Sequence, residues 1–286
     1  MNYAQDALWW RLTHPTIRDL ASLLTAPPLW HTGCELPVRQ LLGEHGFRLL
    51  LAWNDQWQSD PQRQPENLTR NRYALGKYAE DLLAYWFIHA PHAKLLAANL
   101  PIYSHNTDGN SADNSTLGEI DYIVELNGTP YHLELACKYH GSATGEHMAG
   151  LNPRDTLARK QGKLQRQLAL LARPEAQAAL RRHGIAPERI RSASIVRGIG
   201  FTAAGTLPPA FPPQAWSGIW TTTPQALPEH ARYYRLPRTE YLAPARITQP
   251  ETISRSQITP AALYAQVAPR PDGYWHEEQR IMVVAG

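Results

Sequence analysis

The sequence predicts an α+β fold whose core runs helix, three strands, helix, strand, and three observations carry that expectation. In YALGKYAEDLLAYWFIHA, residues Leu75, Tyr78, Ala79, Leu82, Leu83 and Trp86 recur at the spacing of one helical face. Asn127-Gly128 separates GEIDYIVEL from TPYHLELACKY, two runs that alternate apolar and polar residues, and that dipeptide is the strongest short-range hairpin signal. Leu157, Leu164, Leu168 and Leu171 mark a second amphipathic helix, and SASIVRGIGF follows it as a strand. The core is expected over residues 71–202, between a helical N-terminal extension over 1–70 and a C-terminal extension over 203–286 packed on the core.

Taken in chain order, WWRLTHPTIRDLASLLTAPPLW has apolar residues at helical spacing, interrupted by Pro15 and by Pro27-Pro28. SDPQRQPENLTRN reads as a connecting loop. After the first core helix, AKLLAANLPIYSH supplies an extended segment to about His105, and TDGNSADNST is a polar, turn-forming loop. On the first hairpin strand Glu119, Asp121 and Ile123 share a face. On the second, His132, Glu134, Ala136 and Lys138 share one face, and Leu133, Leu135, Cys137 and Tyr139 the other, which makes Cys137 a small core residue. Asp155 stands where the N-cap of the second helix is expected. Along that helix Lys160, Lys163 and Gln167 form a polar edge beside the leucines. Beyond the proline-rich PPAFPPQAW, the segments SGIW, YYRLPRTEYLAPA and YWHEEQRIMVV look like short strands joined by loops.

Composition narrows the function classes. With 43% hydrophobic and 19% charged residues the chain is expected to fold. No stretch approaches ~18 consecutive apolar residues, so no membrane-spanning helix is expected. The start, MNYAQDALWWRL, lacks the pattern of an export leader, which points to the cytoplasm. Cys34 and Cys137 are isolated, which removes a disulfide framework and a thiolate zinc site. No P-loop, G-x-S-x-G or G-x-G-x-x-G string occurs. The net charge of +3 names no partner, but its distribution is uneven. From Asp108 to Glu134 there are six acids, Asp113 and Glu125 among them, and no Lys or Arg; from Arg154 to Arg191 ten basic residues face three acids. Two solvated faces would give this pattern, and so would an acidic metal pocket beside a phosphate-binding surface.

Like charges at neighbouring strand positions repel unless a cation separates them. Asp121 and Glu134, with Glu119 beside them, therefore point to a hard divalent ion, Mg²⁺ or Mn²⁺, which binds through one or two carboxylates plus substrate phosphate. Phosphodiester hydrolysis uses such a site, and a nearby lysine such as Lys138 would stabilise developing charge. The plain alternatives are a solvated hairpin face for the acids, an ion pair for Lys138 and an exposed helix face for the basic edge.

These residues resemble the PD-(D/E)XK nuclease superfamily, whose core runs helix, three strands, helix, strand, with an acid on the second strand and E-x-K on the third. GEID at Gly118 to Asp121 and HLELACK carry the likeness. More narrowly, LGKYAEDLLAYWF, GEIDYIV, HLELACKYH and NPRDTLARKQGKLQRQLALL look like the bacterial family labelled domain of unknown function 1853. The resemblance implies a restriction-endonuclease-like αβββαβ core, with Asp121, Glu134 and Glu80 as metal ligands and Lys138 as catalytic lysine. Lys163 and Gln167 would face the site, and Lys160 would join them in binding substrate. The implied activity is metal-dependent cleavage of DNA, with RNA second, or else nucleic-acid binding by a catalytically inactive module of the same fold. One departure stands out. The superfamily places its acid and lysine two residues apart, roughly 7 Å along a strand, whereas Glu134 and Lys138 are four apart, roughly 13 Å, of which a long lysine leaning back or a local bulge would recover part.

Overall fold

The computed structural model describes residues 11–68, 74–104 and 115–285. Asn127 and Gly128 adopt φ of +48° and +77°, the left-handed pair that a two-residue hairpin turn requires and that Asn-Gly accepts. Around them β2 (Thr116–Leu126) and β3 (Thr129–Gly141) pair antiparallel, from Leu126↔Thr129 to Tyr122↔Leu133. β1 (Ala93–Tyr103) lies antiparallel on the outer side of β2, and β4 (Arg191–Thr202) runs parallel to β3, in unbroken register from Tyr131↔Arg191 to Gly141↔Phe201.

The expected C-terminal strands continue the same sheet. β5 (Ser217–Thr221) is parallel to β4, and β9 (Trp275–Val283) is parallel to β5. β8 (Ala262–Pro269) is antiparallel to β9, and β6 (Arg232–Arg235) to β8, while the short β7 (Arg246–Ile247) pairs β9 from the side. The described residues thus form one nine-stranded mixed sheet with six α-helices, an α+β architecture.

Three helices precede the sheet: α1 (Pro15–Thr25), α2 (Val38–Leu42) and α3 (Gly46–Ser59). Pro15 opens α1, where its missing N–H costs nothing. These helices and α4 (Leu75–His89) cover one face of the sheet. The α4 stripe of Tyr78, Ala79, Leu82, Leu83 and Trp86 is buried with Tyr122, Val124, Leu133 and Ile195. Cys137 packs against this cluster, as its strand parity predicted. The other face carries α5 (Leu157–Leu168) and α6 (Pro174–Arg182). Leu157, Leu164 and Leu168 pack on Ala136 and Val196, while Ala176, Ala179 and Leu180 pack on Ile102, Ile120 and Ile123. Each fully buried Leu or Ile contributes about 1.5–3 kcal/mol. Leu171 falls beyond the end of α5 and packs with the α6 group.

Two details depart from the expectations. The N-cap of α5 is Thr156, whose extended backbone lets its side chain accept from the Arg159 amide; Asp155 instead pairs with Lys160. The connecting loop before α4 contains two single-turn helices, Pro61–Arg63 and Glu66–Leu68. The loop after β1 lies largely outside the described residues, together with Asp108 and Asp113. Among the described residues no helix is long and apolar enough to cross a membrane.

Candidate active site

The β2–β3 ladder ends one pair short of Asp121 and Glu134. Side chains take over from the backbone there. The Asp121 amide donates to Glu134 Oε1 at 3.3 Å, and the Leu135 amide donates to Asp121 Oδ2 at 2.8 Å. His132, two residues before Glu134 and on the same strand face, brings Nε2 to 2.8 Å from Glu134 Oε1, while its Nδ1 lies 3.2 Å from Ser192 Oγ on β4. Glu134 and His132 are fully buried, Asp121 is 8% exposed, and Glu134 Oε2 has no hydrogen-bond partner among the described residues. A buried carboxylate oxygen left without a donor is costly in a folded protein, so its environment calls for a cation or a proton.

The electrostatics agree. Burial, followed by the charge of Glu134, pushes the Asp121 carboxyl up to about 7. Burial pushes Glu134 up to about 8, with Lys163 pulling it back and Glu119 adding to the rise. Burial also holds the His132 imidazolium down, to about 4. Glu80 is raised by its own burial and then by Asp121. Its position is set by α4, and its backbone carbonyl accepts from the Tyr122 hydroxyl at 2.7 Å, which ties the helix to β2 beside Asp121.

Asp121 opens into a cleft of ≈ 610 Å³ lined also by Glu80, Glu119, Lys163, Arg166, Gln167 and Arg173. The cleft therefore has an acidic wall from α4 and β2 and a basic wall from α5 and the turn after it. Among the sequence-derived candidates, Asp121, Glu80, Lys163 and Gln167 line this cleft together, and Glu134 lies hydrogen-bonded beside Asp121. Lys160 does not line it; it faces a second cleft that shares Lys163. Lys138 is half-buried, and burial lowers its pKa, with Lys160 and Lys163 adding to the fall and Asp155 opposing it. Among the described residues no group of three or more His, Cys, Asp or Glu side chains is arranged to hold a metal ion, so Glu80 shares the cleft without closing a three-acid cage. Sequence reasoning gave no role to His132 or Arg173. The same-face spacing of His132 and Glu134 was the available signal for the first, and the basic block for the second.

The profile of a family described as domain of unknown function (DUF1853) matches residues 18–284. The chain belongs to this family. The DUF1853 match takes in the N-terminal helices apart from the first turn of α1, the acid pair, both clefts and the whole sheet. No curated protein and no solved structure matches the chain.

Proposed function

We propose that this DUF1853 chain is a metal-dependent nuclease of the PD-(D/E)XK kind that hydrolyses phosphodiester bonds in DNA, with RNA as the second choice of substrate. The observation that carries this reading is the Asp121–Glu134 pair, buried where two strands part and facing a basic wall across a cleft. The order α4, β1, β2, β3, α5, β4 supports it, with α6 inserted before β4. Two free cysteines suit a cytoplasmic setting.

The residues fit Mg²⁺ or Mn²⁺. Such an ion binds through one or two carboxylates and leaves its remaining positions to water and substrate phosphate. Asp121 and Glu134 would hold it, with the partnerless Glu134 Oε2 as one donor, and Glu80 faces the same cleft. When bound, the ion supplies positive charge against the phosphoryl oxygens. The chain's own groups do the rest. His132 fixes the orientation of Glu134; Lys163, the lysine that lowers the Glu134 pKa, offsets charge that develops on the phosphate; Arg166, Gln167 and Arg173 hold the backbone. Among the described residues no aromatic side chain lines this cleft, which suits recognition of the backbone over the bases.

A magnesium and manganese titration against mixed DNA and RNA substrates tests the reading. Wild type should cleave, and Asp121→Ala and Glu134→Ala should retain binding while losing cleavage; metal-independent cleavage, or full activity in either variant, would overturn it. The second reading, a nucleic-acid-binding module without catalysis, is favoured by one observation: Lys138 stands four residues beyond Glu134 on a strand that keeps unbroken register with β4, so no bulge against β4 brings the lysine back towards the acid. Binding with no cleavage at any metal concentration would select that module.

A further inference from the structure

Gly162 lies in the interior of α5, where glycine weakens a helix relative to alanine. Nothing packs on it: an added Cβ would meet only Arg166 Nη1, at 3.6 Å. Core packing therefore does not account for a glycine at this place. Gly162 lines the second cleft, of ≈ 620 Å³, together with Asn152, Arg154, Asp155, Arg159 and Lys160. Lys163 and Arg166 form the boundary that this cleft shares with the acid cleft.

The second cleft is built for an anion. Its one acid among the described residues, Asp155, is neutralised by Lys160 Nζ at 2.9 Å. Behind Asp155 lies His140 of β3, almost wholly buried, with Nε2 at 3.8 Å from Asp155 Oδ1 and neither ring nitrogen in a hydrogen bond among the described residues. Arg154, Arg159, Lys163 and Arg166 remain exposed around the opening. A helix surface with arginines and lysines on both sides of a bare glycine lets a sugar-phosphate chain approach the backbone closely, which a side chain at that position would obstruct.

We infer that this second cleft is a separate phosphate subsite, which takes a backbone phosphate of the same nucleic-acid strand whose neighbouring phosphate reaches the acid pair across Lys163 and Arg166. The identity of the ligand rests on the nuclease reading; the existence of the site rests on the cleft alone. The ligand chemistry is a phosphate group, and a polynucleotide is distinguished from a free phosphate by comparing a 20-mer duplex with inorganic pyrophosphate as competitor.

The experiment is fluorescence anisotropy of the labelled duplex with the full chain in EDTA, run in parallel with cleavage in Mg²⁺. The Arg154→Ala, Arg159→Ala double variant should bind more weakly, with a log–log salt slope lower by about 2. Gly162→Ala should show the opposite signs in two readouts: a higher Tm, from better helix propensity, and several-fold weaker binding. Wild-type affinity and salt slope in the double variant would overturn the inference, as would unchanged binding by Gly162→Ala or displacement of the duplex by equimolar pyrophosphate. The two readings fail separately. Absent cleavage with these binding losses intact removes the nuclease and keeps the subsite; Asp121-dependent cleavage with binding indifferent to the three positions does the reverse, and no duplex binding at all removes both.

Discussion

Asp121 and Glu134 exchange hydrogen bonds through each other's strands: the Asp121 amide donates to Glu134 Oε1, and Asp121 Oδ2 accepts from the amide of Leu135, the residue after Glu134. The ladder between β2 and β3 stops there, so the two carboxyls replace the missing backbone pair and are fixed in place by the strands they join. Such a pair titrates jointly, and each proton belongs to both acids.

This coupling gives the metal-free chain a pH dependence. The folded-state values, about 7 for Asp121 and about 8 for Glu134, stand above the ordinary 3.8 and 4.5. Acids raised in this way stabilise the fold fully below their ordinary pKa, and the contribution is lost as pH rises through the folded values. His132 works in another window: held at about 4 against an ordinary 6.5, its contribution is complete above 6.5 and is lost as pH falls through 4. Between pH 6.5 and 9 in EDTA, stability should therefore fall by on the order of a few kcal/mol. Glu134→Gln should flatten most of that slope, and Mg²⁺ should restore the wild-type Tm at pH 9. Thermal melts across this range check it; a wild-type Tm that is level in EDTA contradicts the shared proton.

Lys163 and Lys138 can be told apart by kinetics. Lys163 lies in the acid cleft and lowers the Glu134 pKa, while Lys138 is half-buried and does not line that cleft. Lys163→Ala should cost about 10²–10³ in kcat, the usual loss for one group that stabilises developing charge, whereas Lys138→Met should stay within a few-fold of wild type. Single-turnover cleavage at saturating metal separates the outcomes. A larger loss at Lys138 would return the catalytic role to the lysine that the sequence pattern favours.

That pair also marks the limit of what sequence reading reached. Helix α4, the hairpin and helix α5 were visible because their signals are local: a 3.6-residue stripe, an Asn-Gly turn, a leucine repeat. The joining of Asp121 to Glu134 followed from hairpin parity. The role of Lys138 rested on a leaning side chain or a bulge in β3 to shorten its path to Glu134, and β3 keeps unbroken register with β4 from Tyr131 to Gly141, which leaves the side chain to span the distance. At Gly198, the residue opposite Lys138, φ is +138° and an added Cβ would fall 1.7 Å from the Lys138 carbonyl oxygen, so the two backbones lie close at this point. The C-terminal strands were seen as strands but not as one half of the sheet. β5 has five residues and pairs with β4 and β9 in parallel, and such long-range pairing leaves no short-range mark in the sequence.

The joint between the two ends of the chain is a buried ion pair. Arg280 makes two bonds of 2.7 Å to Glu277, and it also donates to the carbonyls of Tyr241 and Ala243; Glu277 accepts from the Ala245 amide. The same 241–245 segment receives Ser22 and Arg18 of α1. Removing one member of a buried pair strands the other, so Glu277→Ala should lower stability by about 3–5 kcal/mol. The double variant Glu277→Met, Arg280→Met should lose less than Glu277→Ala, since it leaves no buried charge uncompensated. Urea unfolding of the single and double variants measures both values, and equal losses would show that the backbone contacts of Arg280 outweigh the pair.

His132 has no exposed surface and two hydrogen-bond partners, Glu134 Oε1 on one side and Ser192 Oγ on the other. Its place explains why Glu134 can be buried and still oriented: β4 holds Ser192, Ser192 holds the imidazole, and the imidazole holds one carboxyl oxygen, while Oε2, the proposed metal donor, has no partner among the described residues. Groups that orient a metal-binding carboxylate in this way typically account for 10–100-fold in metal affinity or activity. His132→Leu should therefore raise the Mg²⁺ concentration needed for half-maximal cleavage by about that factor. His132→Gln, which keeps a donor near Glu134, should recover part of it. Isothermal titration with Mn²⁺ in the absence of substrate gives the same comparison without turnover. If His132→Leu binds Mn²⁺ as wild type does, Glu134 is oriented by the Asp121 amide alone and His132 serves only to fill the space between β3 and β4.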